Sequence, residues 1–160
     1  MRHYTYLFMA IVLSGCGSGR TIVKNKPSVD YVSNSVLAEE DLTKGGPEID
    51  QRYKLYFKKY LEENLYKKNR FVKGDCLRIK YYFFDAAEGS RAERYLGGFG
   101  VGEGSVYIIV NYFDKSGTEI VSTECIGTVT GGFGGGSFDL AIENAADEIV
   151  KYATKNFLKN

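Results

Sequence analysis

The chain has 160 residues, with 21 lysines and arginines against 20 acidic residues, a net charge of +1 and 44 % hydrophobic residues. That length suits one domain with a modest core, and the balanced charge gives no electrostatic footprint for nucleic acid. The single histidine is His3, inside the N-terminal leader, so the remaining chain has no imidazole base for a Ser-His-Asp or Cys-His nucleophile, and no enzyme activity is expected.

Arg2 precedes an uncharged apolar run from Leu7 to Leu13. The run is far shorter than the ~20 apolar residues that span a bilayer. A basic start, a short apolar core and small residues after it describe a secretory signal. Leu13-Ser14-Gly15-Cys16 then resembles the bacterial lipobox. The resemblance implies cleavage before Cys16, a diacylglycerol on its thiol and acylation of the new amine, and two or more chains hold a protein stably on a membrane. Gly17, not Asp, follows Cys16, which resembles the pattern sent to the outer membrane, facing the periplasm, in Gram-negative bacteria. In a Gram-positive host the plasma membrane takes its place. Losing Arg2 with the leader brings the charge to zero. Gly17-Ser18-Gly19-Arg20 and the polar residues after it read as a flexible tether. The expected organisation is a signal peptide over 1–15, a lipidated tether over 16–27 and a single α+β domain over 28–160.

Within that domain, Ser28 to Leu37 is rich in β-branched and aromatic residues and predicts a first strand. Glu39 to Gly46 predicts a loop, and Pro47 suits the first position of a helix. Ile49, Tyr53, Tyr56, Phe57, Tyr60, Leu61 and Leu65 recur at three- and four-residue steps, an amphipathic helix to about Lys68. Its tyrosines read as core packing with hydroxyls at the rim in preference to a binding stripe. Lys58, Lys59, Lys67 and Lys68 read as a solvated face. Phe71 to Phe84 predicts a strand with Leu77, Ile79, Tyr81 and Phe83 on one face. Ser105 to Phe113 and Thr118 to Thr130 flank the turn residues Asp114-Lys115-Ser116-Gly117 and predict an antiparallel hairpin. Tyr107, Ile109 and Phe113 make the hairpin's second face apolar too, so that face is either covered or used in an interface. Ser137 predicts the cap of a last helix, Phe138 to Phe157, with Asp139 in its first turn and lysines near its end. The fold class expected is α+β: an antiparallel-rich, three- to four-stranded sheet with two amphipathic helices packed on one face.

Cys76 and Cys125 remain once Cys16 is lipidated. In an oxidising compartment they are either a bridge or two separate free thiols on strands. A Cys-x-x-Cys spacing is absent from the sequence, so no metal and no cofactor is expected.

The densest pattern is Gly89-Ser90-Arg91-Ala92-Glu93-Arg94-Tyr95-Leu96-Gly97-Gly98-Phe99-Gly100-Val101-Gly102, with a related run Gly131-Gly132-Phe133-Gly134-Gly135-Gly136-Ser137 before the last helix. Together with the lipobox, this resembles the bacterial lipoproteins of domain-of-unknown-function family 4410, over about Gly89 to Tyr152. Tyr95 stands where members often carry Trp. The resemblance implies a periplasmic α+β lipoprotein domain and no particular reaction. Physically, Arg91 and Arg94 beside the backbone amides of Gly97, Gly98, Phe99 and Gly100 could hold a small anion, as could amides from Gly132, Phe133 and Gly134 to Ser137. The first reading of these runs, ahead of an anion site, is structural, as loops packed on each other with Phe99 and Phe133 as plugs; a surface for a partner comes second. A dinucleotide loop is not supported, because the first run precedes a strand and neither run continues into a P-loop Lys-Ser/Thr. The expected function is a non-catalytic interaction or assembly module held on the membrane through Cys16, meeting an envelope protein or copies of itself. The alternative is a binding domain for a small anionic ligand at the Arg/Gly loops.

Overall fold

The computed structural model describes residues 17–25, 30–89, 103–130 and 136–158. In chain order these form β1 (Gly17–Val23), β2 (Ser35–Glu40), α1 (Gln51–Leu65), β3 (Val72–Lys73), β4 (Leu77–Ala87), β5 (Gly104–Phe113), β6 (Glu119–Val129) and α2 (Phe138–Phe157). All six strands join one sheet in the order β1-β6-β5-β4-β2-β3. Neighbours are antiparallel from β1 to β4, but β2 runs parallel to both β4 and β3.

This corrects the expected fold class. The sheet has six strands and is mixed, not a three- to four-stranded antiparallel-rich one. Two causes account for the difference. The connection from β2 to β4 runs through α1, and a crossover through a helix returns the chain parallel to itself. The segment read as a tether is an edge strand: every residue from Gly17 to Val23 has a partner on β6, from Gly17 opposite Val129 to Val23 opposite Thr123.

The glycines that disguise β1 are what its position demands. An ideal Cβ on Gly17 would lie 2.5 Å from the Asn144 side chain, and one on Gly19 would lie 2.8 Å from the Asn144 carbonyl oxygen. Gly127, next to them on β6, is tighter still: its Cβ would fall on the Ala141 carbonyl oxygen and 2.6 Å from the Ala145 nitrogen. Gly127 thus meets the backbone of a small-residue stripe, Ala141 and Ala145, while Gly17 and Gly19 meet Leu140, Asn144 and Glu148, so α2 sits closely on the β1–β6 edge.

Both helices cover the same sheet face. Ser137 caps α2, its Oγ accepting from the Asp139 N–H at 3.2 Å. Asp50 caps α1 by accepting from the Arg52 N–H at 2.8 Å, which starts that helix after Pro47 and not at it. Tyr53, Phe57, Leu61 and Leu65 are the buried stripe of α1. Phe57 stands edge-on to Tyr81 and Phe83 of β4, with ring centroids 4.9 and 5.3 Å away. Between the helices, Tyr53 meets Phe138 edge-on at 4.9 Å, Tyr56 donates to Glu143 and Tyr60 to Asp147. The sheet contributes Leu77, Ile79, Tyr81 and Phe83 from β4, and Val106, Ile108, Val110 and Tyr112 from β5. Period-two burial on both strands fixes the register, because a one-residue slip would turn each set to the other face.

Two boundaries differ from expectation. The first strand of the domain proper begins at Ser35, since Ser33 is instead held by Phe157, whose carbonyl accepts its N–H at 2.7 Å. The predicted strand over Phe71 to Phe84 is two strands, β3 and β4, with Cys76 between them. The hairpin turn follows its sequence: Gly117 has φ +87°, a left-handed conformation that glycine adopts without a Cβ penalty, and Asp114 accepts from Ser116 Oγ and the Thr118 N–H.

Candidate interaction surface

Cys16, Arg91, Arg94, Gly97, Gly98, Phe99, Gly100, Gly132, Phe133 and Gly134 lie outside the described residues. The residues that flank them are described, and they gather at one end of the sheet. Ala87 pairs with Ser105, Gly104 with Val129, and Val129 with Gly17. Both glycine-rich connections therefore leave and rejoin the domain on the rung where β1 begins.

The two cysteines stay apart and both are free. Cys125 lies opposite Ile108, and Ile108 opposite Phe83. Cys125 is thus two strands from β4 and level with Phe83, while Cys76 precedes the start of β4 at Leu77. That separation is far beyond the ~7 Å limit for bridged Cα atoms. The Cys125 thiol contacts the Thr21 and Thr123 hydroxyls at 3.7 Å each, and burial pushes its pKa up to about 11. A thiol so raised is inert at neutral pH.

Burial also holds the Tyr112 and Tyr81 phenols above their usual range, and the Glu143 carboxylate does the same to Tyr56. Each of these groups has a folded pKa above its unfolded one. Their contribution to stability is complete below the unfolded value and is lost as pH rises through the folded value. For Cys125 the loss runs from about pH 8.5 to about 11; the tyrosines add theirs above about pH 10. We expect the melting temperature, followed by circular dichroism, to hold to about pH 8 and then fall steadily. Cys125→Ala should remove the first part of that slope. A melting temperature flat from pH 8 to 11 would show that these groups ionise as freely folded as unfolded.

No described element packs on the other sheet face, where aromatic and aliphatic side chains stand among polar and charged ones. Tyr82 lies opposite Ile109, Ile109 opposite Glu124, and Glu124 opposite Ile22. The next row places Asp85, Tyr107, Ile126 and Arg20 side by side. Phe84, two residues after Tyr82, stands on this face by strand alternation and is 59 % exposed; the bulge between Phe83 and Asp85 brings Asp85 to the same face, and Phe113 lies farther along it. Charges border the aromatics and are largely paired: Lys24 with Glu124, Lys80 with Glu39 at 3.8 Å, Arg78 with Asp75 at 3.5 Å. Lys80 also stands 6.0 Å from the centre of the Phe113 ring. Near the β1 end the face dips into a hollow of about 320 Å³, lined by Arg20, Glu103, Tyr107 and Ile126 among others. Ile126 is only 1 % exposed although it belongs to this face.

Tyr107, Ile109 and Phe113 were legible in the sequence as a second apolar face. Arg20 and Ile126 were not. Arg20 sat in the segment read as a tether, and Ile126 breaks the alternation of Val121, Thr123 and Cys125, which was the available signal. Among the described residues no three His, Cys, Asp or Glu side chains gather as metal ligands, and no helix is long and apolar enough to cross a membrane.

No protein-family model and no curated protein matches the chain. Solved structures similar to it include two of the PelC dodecamer from Paraburkholderia phytofirmans. One, a single-residue variant, is 14 % identical with a TM-score of 0.43, over 84 % of this chain and 95 % of that one. The other is 13 % identical with a TM-score of 0.44, over 91 % and 100 %.

Proposed function

We propose that this chain is a bacterial envelope lipoprotein, anchored through lipid on Cys16, that serves as a non-catalytic interaction module and docks through the uncovered sheet face. The anchor rests on Leu13-Ser14-Gly15-Cys16 after a short apolar run, and the family 4410 resemblance points the same way. The observation that carries the docking role is the cluster of half-buried Tyr82, Ile109, Tyr107 and Phe113 with exposed Phe84 on one uncovered sheet face, bordered by charge. Aromatic anchors inside a polar rim are how protein interfaces divide their energy. An outer-membrane position facing the periplasm follows from Gly17 after Cys16.

Two measurements test the two halves. Mass spectrometry of the membrane fraction should find a mature chain starting at a lipid-modified Cys16, and Cys16→Ser should leave the protein unanchored. A chain cut elsewhere and carrying no lipid defeats the anchor. For docking, a photo-crosslinking residue at Tyr107 or Phe113 should capture a discrete protein band in cells, including a second copy of this chain. The same residue at Lys58 or Lys155, on the exposed sides of the helices, should capture none. Equal capture from all four positions overturns the docking reading.

A further inference from the structure

We infer that the sheet end formed by Gly17, Gly104 and Val129 lies against the lipid headgroups, fixing the domain's long axis upright on the bilayer. The inference rests on the anchor reading above and adds an orientation to it. A flexible linker between lipid and domain would leave the domain free to turn. Here the strand begins at Gly17, the residue bonded to Cys16, and Gly17 is already paired with Val129. Consecutive Cα atoms lie 3.8 Å apart, so a lipid on Cys16 starts one residue from the sheet.

The surroundings of that rung complete the end that faces the bilayer. An ideal Cβ on Gly104 would lie 2.9 Å from the Glu88 carbonyl oxygen and 3.1 Å from the Phe138 ring. Gly17 abuts Leu140 and Asn144, near the start of α2. The β1 start, the ends of the first glycine-rich connection and the capped end of α2 therefore share one level. The other end carries the Asp114–Gly117 turn, which closes β5 and β6. At ~3.4 Å per residue, the ten residues of β5 place that turn roughly 30 Å from the Gly104 rung. Such a height is as great as the hydrocarbon core of a bilayer is thick, enough to separate a headgroup neighbour from a group in water.

The full chain, lipidated in a bacterial host and reconstituted in phosphatidylcholine–phosphatidylglycerol vesicles, gives the test. On a Cys76→Ser background, with Cys125 buried, a fluorophore is placed at Glu103→Cys or at Ser116→Cys. Both positions are exposed. Lipids carrying a quencher near the headgroup should quench the Glu103 label several-fold more than the Ser116 label. Equal quenching, or stronger quenching at Ser116, on vesicle-bound protein overturns the orientation and leaves the anchor standing. Protein that washes off the vesicles and shows no lipid on Cys16 overturns the anchor, and the orientation with it.

Discussion

Gly127→Ala should lower the free energy of unfolding by about 3 kcal/mol, the upper end of the usual cost of overfilling a packed core. Elsewhere in a strand the same change would help, because alanine restricts the unfolded chain by roughly 0.5–1 kcal/mol relative to glycine. At Gly127 the clash decides the sign. The new methyl meets the carbonyl oxygen of Ala141 and the nitrogen of Ala145, which are backbone atoms inside a helix and have no rotamer in which to move aside. Helix α2 must lift, and Ala141, Ile142, Ala145 and Ile149, all fully buried, lose contact with the sheet together. Urea denaturation of the variant beside Gly45→Ala provides the comparison. A Cβ on Gly45 meets nothing within 4 Å, so that change should stay within about 0.5 kcal/mol. If the two variants denature alike, α2 does not sit on the backbone of β6.

Phe57→Ala should cost about 3–5 kcal/mol, as for other fully buried aromatic truncations. Phe57 is 0 % exposed and is the residue through which α1 grips β4, edge-on to both Tyr81 and Phe83. A helix of 15 residues is marginal alone in water and depends on its packed face. Removing the ring leaves a void between helix and sheet and forfeits two aromatic contacts, each worth about 0.5–1.5 kcal/mol. Leu55→Ala on the same helix is the control: Leu55 is 60 % exposed and should cost under about 0.5 kcal/mol. Helical signal that persists to the same urea concentration in both variants would show that α1 does not need its seat on β4.

Where burial follows a strict period, the sequence declared the structure. The alternation in Leu77 to Phe83 and Val106 to Tyr112, the turn at Asp114 to Gly117, and the Ser137 cap are all legible in the sequence. What escaped was governed by tertiary contact. Gly-Ser-Gly-Arg has the composition of a linker, and only the approach of α2 explains why an edge strand here carries glycines at Gly17 and Gly19. The parallel pairing of β2 with β4 leaves no local trace, since it is set by where α1 returns the chain. Strand count and sheet type went wrong together for these two reasons. As for the candidate site, Tyr82, Phe84, Tyr107, Ile109 and Phe113 follow from alternation, whereas the arrival of Asp85 on the same face depends on a bulge and the burial of Ile126 on neighbours from β1 and β5.

The register of β1 also sets how the molecule would carry force. Inter-strand hydrogen bonds in an antiparallel pair stand perpendicular to the strands, and β1 is paired with β6 along its entire length of seven residues. A pull at its first residue along the strand axis strains those pairs in parallel, so none can yield before the others. The same pull directed sideways would open them one at a time from Gly17. A membrane-held chain whose partner drags it straight away from the bilayer would thus resist as a shear clamp, and one dragged along the bilayer surface would unzip.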